Sequence, residues 1–530
     1  MSFLFYTMKF TLSLKRSQSS ARSLGAAALV LLASSLALAV GPESDHAALR
    51  PVLTAAASSF SVTPKVGSPA VSRTPQVIHE VIGELKSTLV LLEYGDTRLC
   101  FLTSSFGVNE KNMNNACRAL VAKELGLSPA QVIAACSHNH TIPLIDISAA
   151  STPEAIGSNQ PLNQARVLGR EFMDGLTRAA RDLKKQLAPV TVEWGVAREE
   201  RVTYNRRGRR ADGTAYFIRE EDRMLLDSKY VGTIDPDATV VVLRGNAGLP
   251  VAALAFFTGH PVSGYNPEVM VSFGQWTQVA CEKLSAHLGG VPVAFLQGCC
   301  GDINSKYMLT GTIEQSRQLG EFLGDSYIAA TQNLHRSQRP DLQWTRAAVD
   351  IPHAPLPSLV NLQKDLAAVD DFIRRGRAGD QDTLTCVGMN FPRALTPSYR
   401  AKLIEMVRPW YVWAVDQRQT GEADKLPKAL PIEIVVARIG DVGYVGMPFE
   451  PFVRIGLRIK QATPLPCVLP SGYTDGSYGY IADATACNDR EYMGGFFRYL
   501  PGRSPYRAPA GDAVGDVAIP ILTRFAHGEN

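Results

Sequence analysis

Val132-Ile133-Ala134-Ala135-Cys136-Ser137-His138-Asn139-His140 decides how the rest of the chain reads: five apolar residues suited to a buried strand stop at a polar cluster holding two histidines. The pattern recurs downstream. Val251 to Phe257 runs into Thr258-Gly259-His260-Pro261, Val291 to Leu296 into Gln297-Gly298-Cys299-Cys300-Gly301-Asp302-Ile303-Asn304, and Val442 to Val445 into Gly446-Met447-Pro448-Phe449-Glu450. Further β-type runs lie at Thr88 to Tyr94, Leu99 to Thr103, Val190 to Val196, Ala238 to Leu243 and Ile432 to Ala437. Between them come helical patterns. In the clearest, Leu162 to Leu187, the residues Val167, Leu168, Phe172, Leu176, Ala179, Leu183 and Leu187 recur at the three- and four-residue steps of one buried helix face. Others cover 110–125, 274–287, 313–333, 359–375, 398–417 and 451–462. Strands alternating with such helices predict an α/β fold, and turn residues at Asn246-Ala247-Gly248 and Gly440-Asp441 predict hairpins that make its large β-sheet mixed.

Composition narrows the classes. The chain has 530 residues, 45% hydrophobic and 20% charged, with 54 Lys+Arg against 50 Asp+Glu. Such a chain is neither disordered nor built around a polyanion surface, and no nucleic-acid partner is expected. No fixed-period repeat is visible, which argues against solenoids and propellers. The basic run Arg206-Arg207-Gly208-Arg209-Arg210 reads either as a solvated loop or as a source of one arginine aimed at a carbonyl or carboxylate; Glu199, Glu200, Glu220, Glu221 and Asp222 cancel the field that nucleic acid would need.

At the N-terminus, Lys9, Lys15, Arg16 and Arg22 precede an apolar run from Leu24 to Val40 ending in Ala37-Leu38-Ala39, the pattern of a signal peptide over 1–39 with cleavage after Ala39. An uncleaved anchor is the other reading. Residues 40–57, rich in Ala, Pro and Ser, read as a linker, and 58–530 as one catalytic domain of a secreted or periplasmic protein without a further membrane span. Export would place the nine cysteines where disulfides form. Cys467 and Cys487 bracket a Gly- and Tyr-rich loop with 19 residues between them, so they read equally as a bridge or as two buried thiols. Adjacent Cys299 and Cys300 read as buried small side chains.

Ligands of open α/β sheets sit beyond the carboxyl ends of strands, so the polar clusters at these ends are the candidate site. Histidines, a glutamate and nearby tyrosines suit zinc with an open coordination position. In extended backbone residues i and i+2 face the same way, so His138 and His140 would share a pocket, one on metal and one on water or substrate. Motifs for α/β-hydrolases, zincins, NTPases and dinucleotide enzymes are missing from the sequence.

The order of these motifs resembles the neutral/alkaline ceramidase family. Val62-Thr63-Pro64 is similar to its early I/V-T-P, Ser137-His138-Asn139-His140 to its T-H-T-H, and Tyr204-Asn205-Arg206 to its N-R element. Gly259-His260-Pro261 corresponds to its second histidine, Gly301-Asp302-Ile303-Asn304 to G-D-V-S, Met447-Pro448-Phe449-Glu450-Pro451-Phe452 to P-G-E-x-F, and Gly479-Tyr480-Ile481 to its terminal G-Y. The resemblance implies a mixed α/β sheet and a Zn2+ ion on His138, His260, Glu450 and Tyr480. It implies catalytic roles for His140 and Arg206, and hydrolysis of a lipid-like N-acyl amide, or an ester, by zinc-activated water; Asn304, whose amide can only donate or accept hydrogen bonds, is expected to join them by orienting substrate or stabilising the oxyanion. The chain departs from the family at Asn139, at Phe449, and at Asn304, where the family has serine; neighbouring Ser305 is expected to turn away from the metal. On this reading the family's C-terminal immunoglobulin-like domain is not expected after the tyrosine loop. Asn304 also leaves open a protein that keeps the scaffold and binds metal or ligand without catalysis.

Overall fold

Strict side-chain alternation organises the molecule, described here from a computed structural model for residues 51–71, 76–105, 111–147, 161–227, 229–266 and 269–529. Along Leu89-Val90-Leu91-Leu92, Val90 and Leu92 join one core, with Leu99, Phe101 and Ile133, while Leu89 and Leu91 pack on the opposite face with Cys100, Leu102 and Val132. That opposite face is covered by helices Lys111–Leu125 and Pro161–Leu183 through residues such as Val121, Phe172 and Leu176. A strand buried on both faces carries apolar residues at every position, which is why these runs look continuous rather than alternating in sequence.

The same unit occurs three times in the chain. Each has two antiparallel strand pairings, a helical crossover to a parallel fourth strand, and a closing helix. In the first unit the strands are Thr54–Ser61, Lys86–Tyr94, Thr97–Ser104 and Val132–Cys136. In the second they are Ala188–Arg198, Asp237–Gly245, Pro250–Phe257 and Val293–Gln297, with helices Gln275–His287 and Ile313–Thr331. In the third they are Leu342–Pro352, Ala429–Ile439, Val442–Gly446 and Cys467–Ser471, with helices Val453–Ala462 and Asp512–His527. Thr54–Ser61 pairs with Ala188–Arg198 and joins the first two units into one large mixed sheet, while the third forms its own four-stranded sheet. All three turn one face to a shared core in which Phe101, Leu254 and Tyr444 meet.

The fourth strands meet end to end. Gly298 bridges Ser471 and Ala135 bridges Thr474, while the Gln297 side-chain amide donates to the carbonyls of both Ser137 and Gly259 at 2.8 Å. Loops leaving the three units therefore converge on one place. Two insertions overhang it: residues 199–236 in the second unit and 353–428 in the third.

The mixed α/β architecture agrees with the sequence reading, and both predicted hairpins form. Two expectations need correction, and one open alternative is decided. The segment 40–57 is not all linker, because the first strand starts at Thr54; its small Ala and Ser residues suit close packing at Ala55, Ala56 and Ala57. The helix expected over 398–417 is two, Pro397–Glu405 and Arg408–Gln419, since Pro409 cannot donate to the carbonyl of Glu405. No bridge joins Cys467 to Cys487; both are free thiols, and the Cys487 thiol donates to the Ala484 carbonyl at 3.4 Å. Cys299 and Cys300 are buried and unbridged as expected. The expected signal peptide and the start of the linker lie outside the described residues. No described helix is long and apolar enough to cross a membrane.

With all nine cysteines free, unreduced protein denatured in guanidinium is expected to titrate nine thiols; seven, the signature of one bridge, would contradict this arrangement.

Candidate metal centre

Five of the seven site residues expected from sequence have a nitrogen or oxygen in one buried cluster, Arg206 stands directly against it, and Asn304 stands behind Arg206. His138 follows the fourth strand of the first unit, His260 the third strand of the second, and Glu450 the third strand of the third. Glu450 lies in a two-residue parallel ladder in which it pairs with Tyr480, a register that sets carboxylate and phenol side by side. Glu450 Oε2 is 3.3 Å from His138 Nε2 and 3.2 Å from His260 Nε2, and the Tyr480 hydroxyl is 3.3 Å from His260 Nε2.

The hydrogen bonds around His260 show what the cluster lacks. Its Nδ1 faces the carbonyl oxygens of Cys300 at 2.6 Å and Ile303 at 3.1 Å, so Nδ1 carries the hydrogen and Nε2 presents its lone pair. That lone pair points at a carboxylate oxygen. Burial and the Arg206 charge push the His260 imidazole down to about 3. Burial opposes ionisation of Glu450, but interaction with His138, the largest opposing influence, holds the carboxyl well below the usual carboxylate range. A neutral imidazole nitrogen and an ionised oxygen in this contact repel unless a cation lies between them, so the donor set fits a metal ion. Ligand nitrogens of His138, His140 and His260 all lie within 4.8 Å of one another.

Backbone strain aims the first histidine. His138 sits at φ 62°, in the left-handed region, so the extended i, i+2 argument does not describe this H-x-H. The two rings still meet, with Nε2 atoms 3.2 Å apart, because the chain is fixed on both sides. Asn139 donates to the Phe273 carbonyl at 2.7 Å and accepts from the Thr141 amide at 2.9 Å, and Tyr473 stacks on the His138 ring at 4.3 Å. Such a conformation costs on the order of 1–3 kcal/mol and persists only where neighbours over-determine it.

Arg206 is the arginine of the basic run that turns inward. Arg207 and Arg209 pair with Asp489 at the surface side, whereas Arg206 is buried and donates to the Gly301 carbonyl, to Tyr480 Oη at 2.9 Å and to Asn304 Oδ1 at 2.8 Å. Burial alone would favour loss of its charge, but Tyr480, Tyr492 and Glu450 raise its pKa and keep it cationic. Asn304 stands behind Arg206: its amide nitrogen faces Met308 Sδ and Tyr204 Oη, and it does not line the cavity described below. Ser305 Oγ accepts from the Val262 amide at 3.3 Å, turned to the backbone as expected.

Two supporting residues were not singled out in the sequence as parts of the site. Tyr473, which stacks on His138, sits in the Gly- and Tyr-rich loop but nothing in that composition distinguishes it from a packing tyrosine. Asp302 lies in the G-D motif; its Oδ1 accepts from the Val453 amide, the first of helix Val453–Ala462, at 2.7 Å, and its Oδ2 accepts from Asn205 at 3.0 Å. One carboxylate thereby ties strand Thr203–Asn205, which leads into Arg206, to the helix that follows Glu450. Burial pushes its pKa up to about 6, against those two donors.

Beside the cluster opens an apolar cavity of about 100 Å³. His140, Arg206, His260 and Tyr480 form its polar part, and Phe217, Met308, Phe391, Leu395, Tyr399 and Leu403 are among its apolar walls.

Among solved structures, the chain superposes on a ceramidase complexed with C2 with a TM-score of 0.60 at 15% identity, covering 90% of this chain and 76% of that one. It superposes on the neutral ceramidase from Pseudomonas aeruginosa with a TM-score of 0.59 at 16% identity, covering 90% and 75%. The ceramidase-like fold expected from the motif order is therefore the fold observed. No protein-family model and no curated protein matches the sequence.

Asp302→Ala leaves two buried donors without an acceptor and is expected to destabilise the protein by about 2–4 kcal/mol in urea unfolding. Because the folded carboxyl binds its proton more tightly than the unfolded one, wild type loses part of this group's contribution as pH rises from about 4 to about 6. The stability gap between wild type and variant should narrow across that window.

Proposed function

We propose that the protein is a zinc-dependent hydrolase that cleaves an N-acyl amide to a carboxylic acid and an amine. The observation that carries this reading is the contact of the His138 and His260 nitrogens with Glu450 Oε2, beside a buried arginine at the polar end of an apolar cavity. The likeness in fold to ceramidases supports the same class. His138, His260, Glu450 and Tyr480 would hold the ion; His140, which touches His138 and lines the cavity, is left to meet substrate. Zinc bound there would act as a Lewis acid on the carbonyl and lower the pKa of water toward neutrality.

The protein's own residues would do the rest. Arg206, fixed by the Gly301 carbonyl and by Asn304, offers its guanidinium to the oxygen on which negative charge develops. Asn304 has no titrating hydroxyl, so it cannot serve as a nucleophile; it holds Arg206 in place. His140, a second imidazole within reach of the cavity, would accept and return a proton during cleavage. The apolar walls exclude water from the substrate's hydrocarbon part. A lipid-like amide suits this arrangement, and the N-terminal apolar segment supports export with cleavage near Ala39.

Purified protein should carry about one zinc per chain by mass spectrometry, most of it lost in His138→Ala, His260→Ala and Glu450→Ala and kept in His140→Ala. Unchanged metal in all three ligand variants would refute the assignment. Against a panel of N-acyl amides, Arg206→Ala should keep its zinc and lose ~10²–10³-fold in kcat. Asn304→Ala, which removes one hydrogen bond behind that arginine, should lose roughly tenfold. Zinc without turnover on any amide would indicate a binding protein.

A further inference from the structure

The cavity beside the metal cluster is small for a lipid chain. Its volume of about 100 Å³ falls below the ~150 Å³ of an apolar protein cavity that accommodates benzene, so it holds an alkyl group smaller than a six-carbon ring, about four to five carbons beyond the carbonyl. Much of its apolar wall comes from the two insertions, and Val262, Met308 and Leu309 complete it. Leu395, Tyr399 and Leu403 recur at four-residue intervals along and just ahead of helix Pro397–Glu405 and present one continuous apolar face to it. Phe217 comes from the other insertion, and the Arg206 guanidinium lies over its ring at 5.3 Å from the centroid. Asn390, an amide in the wall, is taken up by the backbone: it donates to the Phe217 carbonyl and accepts from the Phe217 amide, each at 2.8 Å. The wall beyond the polar end is therefore built for hydrocarbon.

We propose that this cavity takes the acyl side of the substrate, and that its walls Phe391, Tyr399 and Leu403 select short straight-chain acyl groups of about six carbons or fewer, the carbonyl included, over rings and long fatty chains. The proposal rests on the hydrolase reading for the term "acyl", but the cavity itself can be probed without turnover. Arg206 gives the direction. A carboxylate placed against its guanidinium continues as a chain over Phe217 toward Tyr399 and Leu403, whereas an alkylammonium there would meet a like charge. A chain longer than the cavity must leave through the mouth, where further methylenes stay in water and add nothing.

The test is titration calorimetry of straight-chain carboxylates from two to twelve carbons against the full chain, zinc-loaded and after chelation, with alkylamines of equal length as the control. Affinity for carboxylates should rise about fourfold per added methylene up to about six carbons and then level off. Leu403→Ala and Tyr399→Leu should move the plateau to longer chains, and Leu403→Phe to shorter ones. Should Leu403→Ala fail to fold, the other two variants still report opposite shifts. Affinity that climbs steadily to twelve carbons, a flat profile, or length dependence in amines alone would overturn the proposal. Zinc content is read on the same samples: a protein that binds no zinc yet shows the plateau contradicts the hydrolase reading and leaves the cavity assignment standing, and a zinc-bearing protein with a flat profile does the reverse.

Discussion

A buried carboxylate held between two imidazole nitrogens, Glu450 against His138 and His260, is the contact on which the rest of the site depends. Its three members come from three different structural units, and none is exposed to water that could screen them. Holding them together requires the strands behind them to end at one point. It also requires the second histidine's other nitrogen to be anchored, as the carbonyls of Cys300 and Ile303 do. The arginine nearby adds a charge of the sign that a carbonyl oxygen needs when it becomes negative, and backbone and side-chain oxygens fix it there.

The threefold recurrence of one β-β-β-α-β-α unit explains how such an end point arises. Each fourth strand is parallel to its third, so both finish at the same edge, and bridges between Gly298 and Ser471 and between Ala135 and Thr474 bring the fourth strands' ends together. The units share an inner core and each buries its outer face under its own helices. Division of labour follows: the repeated scaffold places most of the polar cluster, and the insertions at 199–236 and 353–428 supply Arg206 and much of the apolar wall beside it. Asp302 links the two systems, joining strand Thr203–Asn205, just before Arg206, to the start of the helix after Glu450.

Different parts of this were legible in the sequence to different degrees. The strand runs at Val132–Cys136 and Pro250–Phe257 and the amphipathic helix Pro161–Leu183 were readable because burial imposes a period that survives in the residue pattern. Thr54–Ser61 was not, because Ala and Ser in a close-packed strand have the composition of a linker. The break at Pro409 was visible in principle, since proline interrupts a helix wherever it falls beyond the first turn. The repeat left no sequence period, because equivalent strands need only be apolar and their connections differ in length.

The sequence by itself determined the chemical inventory: which side chains can bind metal, which strand ends carry them, and that Asn304 has no hydroxyl to offer. Tertiary structure alone decided how they act. Only in space does the left-handed turn at His138 bring its ring to His140, only the Glu450–Tyr480 ladder sets carboxylate beside phenol, and only the pairing of Thr203–Asn205, just before Arg206, with Ile303–Ser305 puts Asn304 behind an arginine ninety-eight residues away. The physical reason is that local periodicity records which face of an element is buried. It carries no record of which distant element supplies the partner, because that choice is made by the packing of whole sheets.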